Sequence, residues 1–346
     1  MRGLKLCIIC VTYLLGQLIF ASSFDAGASF LMIQPSPRST AMAGAFSSIA
    51  DDASANYYNP AGLGFIKYPS IMFVHTPWLR SAVPGINHEF LAFTYPLPVG
   101  TIGANIIYLN YGKVYGYYNG QYLGSWSPYD LQVQLSYGSN VTPDLSLGGS
   151  VKFIHSFLAP ENIISDITGV NGSGSGMTFA VGFGLLYKKA IKLGEGNVGE
   201  IGYSLCFDNL GPAMTITSIS EKQLLPYNVR TGISFIPLNL KNHRLTMAFE
   251  LTKVLVNIMK DYKENGPKYI FDDTWKQIGL EYVLYDVAFM RLGYFYDKLG
   301  MRSGLTYGIG IKVFNFSFDI SDDHSLYEMA SGFNLRFGLS YNFKLQ

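Results

Sequence analysis

Few residues in this chain are spaced for chemistry. The five histidines, His75, His88, His155, His243 and His324, are scattered, with no His-Glu-x-x-His and no cysteine pair spaced for zinc. "NGSGSG" at 171–176 is glycine-rich but lacks the Gly-Lys-Ser/Thr ending of a phosphate-binding loop, and it reads as a flexible external loop. "SDDHS" at 321–325 offers oxygen ligands to a cation, yet reads more simply as a solvated loop tip. The adjacent carboxylates Asp51 and Asp52 resemble an acid/base pair. Their setting, "ADDASANYYNPAGLG" at 50–64, instead suggests a helix start followed by a turn at Asn59-Pro60 and Ala61-Gly62. Cys206, beside Ser204 and Asp208, is expected to be a passive small residue. No Ser, His and Asp constellation is recognisable by spacing. The expectation is no enzyme, no metal and no cofactor.

What remains is a set of charges inside apolar runs, and the runs explain them. In "SGFNLRFGLSYNF", residues 331–343, Phe333, Leu335, Phe337, Leu339, Tyr341 and Phe343 share one face, while Asn334, Arg336, Gly338, Ser340 and Asn342 share the other. That is the period-two pattern of a strand. It recurs at 128–139, 174–188, 243–255, 302–313 and 314–320. Lys152, Arg230, Glu250, Glu281, Arg291, Lys312, Asp319 and Arg336 all fall on the less apolar face. A Lys or Arg facing lipid at mid-bilayer costs about 2–4 kcal/mol, so a membrane enforces this segregation. Alternation alone also fits a soluble sandwich with its apolar face buried.

Composition and the leader favour the membrane. The 346 residues are 49% hydrophobic, 15% aromatic and only 14% charged. The 25 basic and 24 acidic residues nearly cancel, which leaves no footprint for nucleic acid. Arg2 and Lys5, the apolar run Leu6–Phe20 and the small residues Ala21-Ser22-Ser23 have the layout of a signal peptide over 1–23. An uncleaved anchor is the competing reading, though the run is short for a span. With Cys7 and Cys10 gone with the leader, Cys206 has no disulfide partner. After residue 23 no apolar run reaches the ~20 residues of a spanning helix. An apolar chain without such a helix crosses a membrane as a closed barrel.

The expected fold is therefore an all-β transmembrane barrel of about 14 antiparallel strands. The segments are 69–79, 86–97, 99–110, 128–139, 144–158, 174–188, 197–208, 226–236, 243–255, 274–285, 287–297, 302–313, 314–320 and 331–343. Longer connections at 111–127, 159–173, 209–225, 256–273 and 321–330 belong outside the cell, and short ones at Pro98 and Asp286 on the periplasmic side. The 189–196 connection is the longest exception. Residues 24–68 lack strand alternation and are rich in small side chains, which suits a short helical hatch in the lumen of the 69–346 barrel. Asp51, Asp52 and Asn56 are then placed to bond inward-facing Lys or Arg. A periplasmic tail is the alternative.

The pieces Gly27-Ala28-Ser29-Phe30-Leu31, Ala41-Met42-Ala43-Gly44-Ala45-Phe46, Ala50-Asp51-Asp52-Ala53-Ser54 and Asn59-Pro60-Ala61-Gly62-Leu63 together resemble the N-terminal signature of the PorV/PorQ family of outer-membrane proteins, relatives of FadL-type transporters. The C-terminal "FDISDDHSLYEMASGFNLRFGLSYNF" is similar to that family's closing hairpin, although Lys344-Leu345-Gln346 follow the usual terminal aromatic. The resemblance implies a monomeric barrel with an N-terminal hatch in the outer membrane, surrounded by outer-membrane lipid. It implies either passage of a hydrophobic small-molecule ligand or docking of secreted protein cargo at the cell surface. The candidate hatch and lumen residues are Asp51, Asp52, Asn56, Asn59, Pro60, Arg230, Glu250, Arg291 and Arg336. For passage, Phe289 and Phe295 suggest an apolar pocket near the hatch, and Gly103 a bulge that opens the wall. For docking, Tyr111, Tyr115, Tyr117, Tyr118, Asn119 and Tyr122 mark an external loop. A plain diffusion porin is a third possibility, one that an occluding hatch opposes.

Overall fold

The computed structural model describes residues 26–169, 172, 174–216, 222–327 and 332–344. The leader at 1–23 and part of the 171–176 loop lie outside the described residues. Fourteen strands close into one antiparallel barrel: β1 (Ser70–Pro77), β2 (Asn87–Leu97), β3 (Gly100–Asn110), β6 (Tyr129–Thr142), β7 (Leu145–Ala159), β8 (Gly174–Gly194), β9 (Asn197–Leu210), β10 (Asn228–Leu240), β11 (His243–Val254), β12 (Trp275–Leu284), β13 (Ala288–Asp297), β14 (Arg302–Val313), β15 (Phe316–Asp322) and β16 (Leu335–Asn342). A separate hairpin, β4 (Val114–Tyr118) with β5 (Gln121–Trp126), stands on the connection between β3 and β6. β1 closes on β16, with Ser70 opposite Asn342. Among the described residues no helix is long and apolar enough to cross a membrane, and the strands do the crossing.

The alternation becomes two environments. On β14, Leu305, Tyr307, Ile309, Ile311 and Val313 are exposed on the outer face, while Thr306 is buried. Lys152, Arg230, Glu250, Glu281, Arg291, Asp319 and Arg336 are all buried within the barrel, and Lys312 lines a cavity at its short-turn end. Closure pairs the backbone all the way round, which is the condition for a sheet in hydrocarbon. Short turns such as Tyr285-Asp286, where both residues have positive φ, mark the periplasmic end.

Three expectations change. β8 runs on to Gly194 and β10 to Leu240, so the 189–196 connection is mostly strand. Lys189 and Lys192 interrupt the apolar pattern because that part of β8 projects past the end of its neighbour, where Tyr187 pairs with Leu145. Gly103 sits in unbroken register, opposite Thr94 on one side and Ser136 on the other, so it opens no gap in the wall. "SDDHS" is not a solvated tip: Asp322 and Asp323 are buried, with Asp322 paired to His324 and Asp323 to Arg336.

Leu135 and Val141 are equally exposed on the outer face of β6, at 61% each, but Leu135 is mid-strand and Val141 near the periplasmic end. Leu135→Arg should destabilise the vesicle-embedded barrel by roughly 2–4 kcal/mol and Val141→Arg by about 0–1. Urea unfolding midpoints in lipid vesicles measure both, and equal small effects would mean that the outer face meets water.

Candidate functional site

Residues 26–66 thread the lumen, and the wall is shaped to receive them. The segment is a series of single turns: Ser29–Met32, the helix Pro37–Ala41, the helix Ala55–Tyr58 and the turn Pro60–Phe65. Pro37 at the first helical position and Asn59 before Pro60 set the starts, and the Asn59 side chain accepts from Ala61 N at 3.0 Å. Asp52 Oδ1 accepts from Ser54 N at 2.9 Å and Ser54 Oγ at 2.6 Å, a local turn that explains the second aspartate of the pair. Turns this short do not persist alone in water. They are held by the barrel.

Glycines on the inner face let the hatch backbone come close. A methyl group at Gly148 would lie 2.3 Å from the Pro60 carbonyl carbon, and one at Gly293 would lie 2.4 Å from Ala43 N. At Gly103 it would lie 2.0 Å from Asn56 Oδ1, which is the reason for that glycine.

Polar contacts then fix the position. Arg38 Nε and Nη2 each donate to Glu281 at 2.8 Å, a bidentate pair between hatch and wall. Glu281 also accepts from Arg291 Nε at 2.7 Å, and Arg291 reaches Asp319 at 2.5 Å. On its other side Arg38 Nη1 meets Asp51 at 2.5 Å and Asp52 at 3.1 Å. The hatch carboxylates therefore pair with a hatch arginine rather than with a cation on the wall. Asn56 likewise finds no Lys or Arg; its amide donates to Ala53 O at 2.9 Å and to Phe93 O at 3.2 Å.

The other candidates are spread along the seat. Glu250 Oε2 accepts from Phe46 N at 3.1 Å and Ser47 N at 2.8 Å. Asn59 donates to Ser47 O at 3.0 Å and Leu185 O at 3.2 Å. The Arg230 guanidinium lies 4.8 Å from the Tyr57 ring centre and 5.8 Å from that of Tyr58. Arg336 donates to Gln34 O at 3.1 Å and pairs with Asp323 at 2.8 Å.

This barrel, plugged by a built-in segment, can be compared with known proteins. Residues 21–261 match the family described as "Type IX secretion system protein PorV". The chain belongs to the PorV family. A comparison with curated proteins returns no match. Among solved structures, the toluene transporter TodX of Pseudomonas putida aligns with a TM-score of 0.53 at 11% identity, over 90% of this chain and 99% of that one. The CymD monoaromatic hydrocarbon channel aligns at 0.49 and 11% identity, over 91% and 98% of the two chains. At this identity the likeness to TodX shows the fold alone, a closed barrel.

Two members of the hatch seat were not among the sequence candidates. Glu281 was legible only as one of several inward charges. Arg38 had a clearer signal, because it is the only Lys or Arg between residues 24 and 66. A pair of aspartates carried into a lumen needs a cation, and the hatch supplies that one. Below the latch lies a cavity of about 340 Å³ at the periplasmic end, lined by Arg38, Asp51, Arg244, Asp286, Lys312 and Asp319 among others. Phe289 lines it too, but its walls are charged; Phe295, packed on Trp275, belongs instead to the buried apolar cluster that includes Phe30, Met42 and Phe46 of the hatch.

Desolvation opposes ionisation of Asp51, but Arg38 and Lys188 outweigh it and hold this carboxyl below its ordinary 3.8. At Asp52 desolvation prevails over Arg38 and the carboxyl is pushed up. Asp51 therefore contributes to the seat fully above the ordinary carboxylate value, and that contribution is lost as pH falls through its lowered one. Planar-bilayer conductance should rise below that point and be low at neutral pH. Glu281→Ala breaks a buried pair, at a cost of roughly 3–5 kcal/mol. The variant should unfold at lower denaturant and conduct more at pH 7; wild-type conductance and stability would remove the latch from this account.

Proposed function

We propose that this PorV-family barrel passes hydrophobic small molecules across the outer membrane, with residues 26–66 as its gate. One observation carries the reading: toward the long loops the first hatch segment is seated in the lumen on apolar side chains. Phe30, Leu31, Met32 and Ile33 of the hatch are buried there in one cluster with Phe90, Ile107, Leu109, Ile154, Met214 and Leu225. A water-filled pore has no use for such an interior. Few polar bonds hold the first hatch segment, among them Gly27 N to Leu224 O at 2.8 Å and Tyr57 Oη to Leu31 O at 2.9 Å. Apolar contact is non-directional, so an apolar solute can take the place of these side chains. TodX, which shares the fold, is a toluene transporter, in keeping with this reading.

Passage to the periplasm requires the middle of the hatch to leave the wall. Ser47 Oγ and Ser204 Oγ are 2.7 Å apart, one on each. In a Cys206→Ala background, Ser47→Cys with Ser204→Cys should form a disulfide that staples the gate shut. Vesicles with a lipopolysaccharide outer leaflet would report uptake of labelled dodecan-1-ol. Expected are uptake above empty vesicles for the reduced barrel, background uptake for the oxidised one, and recovery with reductant. Equal uptake in both redox states would sink the gate.

A second reading has its own observation. On the β4–β5 hairpin Tyr115, Tyr117 and Tyr122 are 60%, 60% and 55% exposed, while Leu123 and Trp126 pack on Ile163 and Ile164 of the helix Glu161–Thr168. A firmly mounted tyrosine face suits docking of an exported protein, in keeping with the family's name. A photo-crosslinker at Tyr117 in intact cells should trap a discrete protein adduct; none appearing would remove this role.

A further inference from the structure

Near the outer mouth, β1, β2 and the residue after β1 bring together polar side chains that have no work in the resting seat. Thr76 and His88 lie opposite each other in register, and both are fully buried. Trp78, 1% exposed, follows two residues after Thr76, with its ring centre 6.4 Å from that of His88. Thr76 Oγ1, both ring nitrogens of His88 and Trp78 Nε1 have no hydrogen-bond partner among the described residues. Arg336 lies close by, its guanidinium 5.1 Å from the Trp78 ring centre, with Nε donating to Gln34 O and Nη1 paired to Asp323.

Buried polar atoms are nearly always bonded, and each that is not carries its full desolvation cost. Four such atoms on three neighbouring inward-facing residues call for a partner. The set is rich in donors. Trp78 only donates, Thr76 donates and accepts, and a neutral His88 offers one nitrogen of each kind. It adjoins the apolar cluster directly: Trp78 and Phe90 belong to the same cluster as Phe30 and Leu31.

We propose that Thr76, Trp78 and His88 form the head-group site of the transported molecule. Its ligand is an amphiphile whose acceptor oxygen (hydroxyl, carbonyl or carboxylate) bonds these donors while its hydrocarbon part replaces the hatch segment Phe30–Ile33. The inference rests on the transport reading and narrows its substrate from hydrocarbon to oxygenated hydrocarbon. A pure alkane leaves the polar atoms unsatisfied, and a site built to bond oxygen discriminates against the analogue that lacks it.

The test compares labelled dodecan-1-ol with labelled dodecane in the same lipopolysaccharide-coated vesicles. The wild-type barrel should take up the alcohol at least tenfold faster than the alkane, each corrected for empty vesicles. In Thr76→Val, Trp78→Phe and His88→Leu that ratio should fall several-fold, and in the triple variant it should approach one. Heat-modifiable migration would verify that each variant is folded. Equal rates in wild type, or a preference that survives the triple variant, would overturn the head-group site while leaving transport intact. Uptake of neither compound above empty vesicles would overturn the transport reading and this inference with it. A second measurement needs no transport. With no bond to lose, Thr76→Val should leave unchanged or raise the ligand-free unfolding midpoint, and a clear fall would mean that the hydroxyl already has a structural partner.

Discussion

Glu281 stands on the barrel wall with no exposure to water and holds a guanidinium on either side, Arg38 from the hatch and Arg291 from the next strand. A carboxylate in that position is tolerable only with both hydrogen-bonded cations in place. Arg38 in turn has Asp51 and Asp52 behind it, and Arg291 has Asp319. The result is one chain of alternating charge that begins in the plug and ends in the sheet. Neither part is complete alone. The hatch consists of turns too short to survive free, and the wall without it would present buried charges and glycine hollows to nothing.

How much of this could be read beforehand follows from which forces act at short range in sequence. Lipid imposes a side at every second residue, so the number of strands and the inward direction of Arg230, Glu250, Arg291 and Arg336 were legible. Strand ends were less so. Beyond the membrane the alternation is no longer enforced, which is why Lys189-Ala190-Ile191-Lys192 reads as a loop although β8 continues through it. Contacts across the lumen were hardest. The hatch has no period, and its bonds run to partners some forty to three hundred residues away, such as Asn56 to Phe93 O and Gln34 O to Arg336. Asp51 and Asp52 looked like ligands for the wall because nothing in their local pattern points to Arg38. Gly103 looked like a flaw in a strand because Asn56, which fills the space beside it, comes from a part of the chain that the strand pattern does not describe.

The inner-face glycines also constrain how the plug can move. They bring the hatch backbone against the sheet at Pro60, Ala43 and Asn56, so a small sliding motion would drive these atoms into the neighbouring side chains. Packed interfaces of this kind tend to have discrete arrangements rather than a continuous range. Under the transport reading the gate is then seated or unseated, with little between.

The two halves of the lumen divide the work of such a gate. Outside, Phe30–Ile33 rest on apolar side chains that tolerate exchange for another apolar group with little geometric demand. Inside, the Arg38–Glu281–Arg291–Asp319 chain has fixed directions and distances, and no hydrocarbon can replace it. Entry of a solute can therefore precede any disturbance of the ionic chain, but exit cannot. The cavity at the periplasmic end matters for that step: Arg38, Asp51 and Asp319 already border it together with Arg244 and Lys312, so water entering it can re-solvate the charges as they part. Under the transport reading the barrier is thus lowered on the periplasmic side, where opening has to occur.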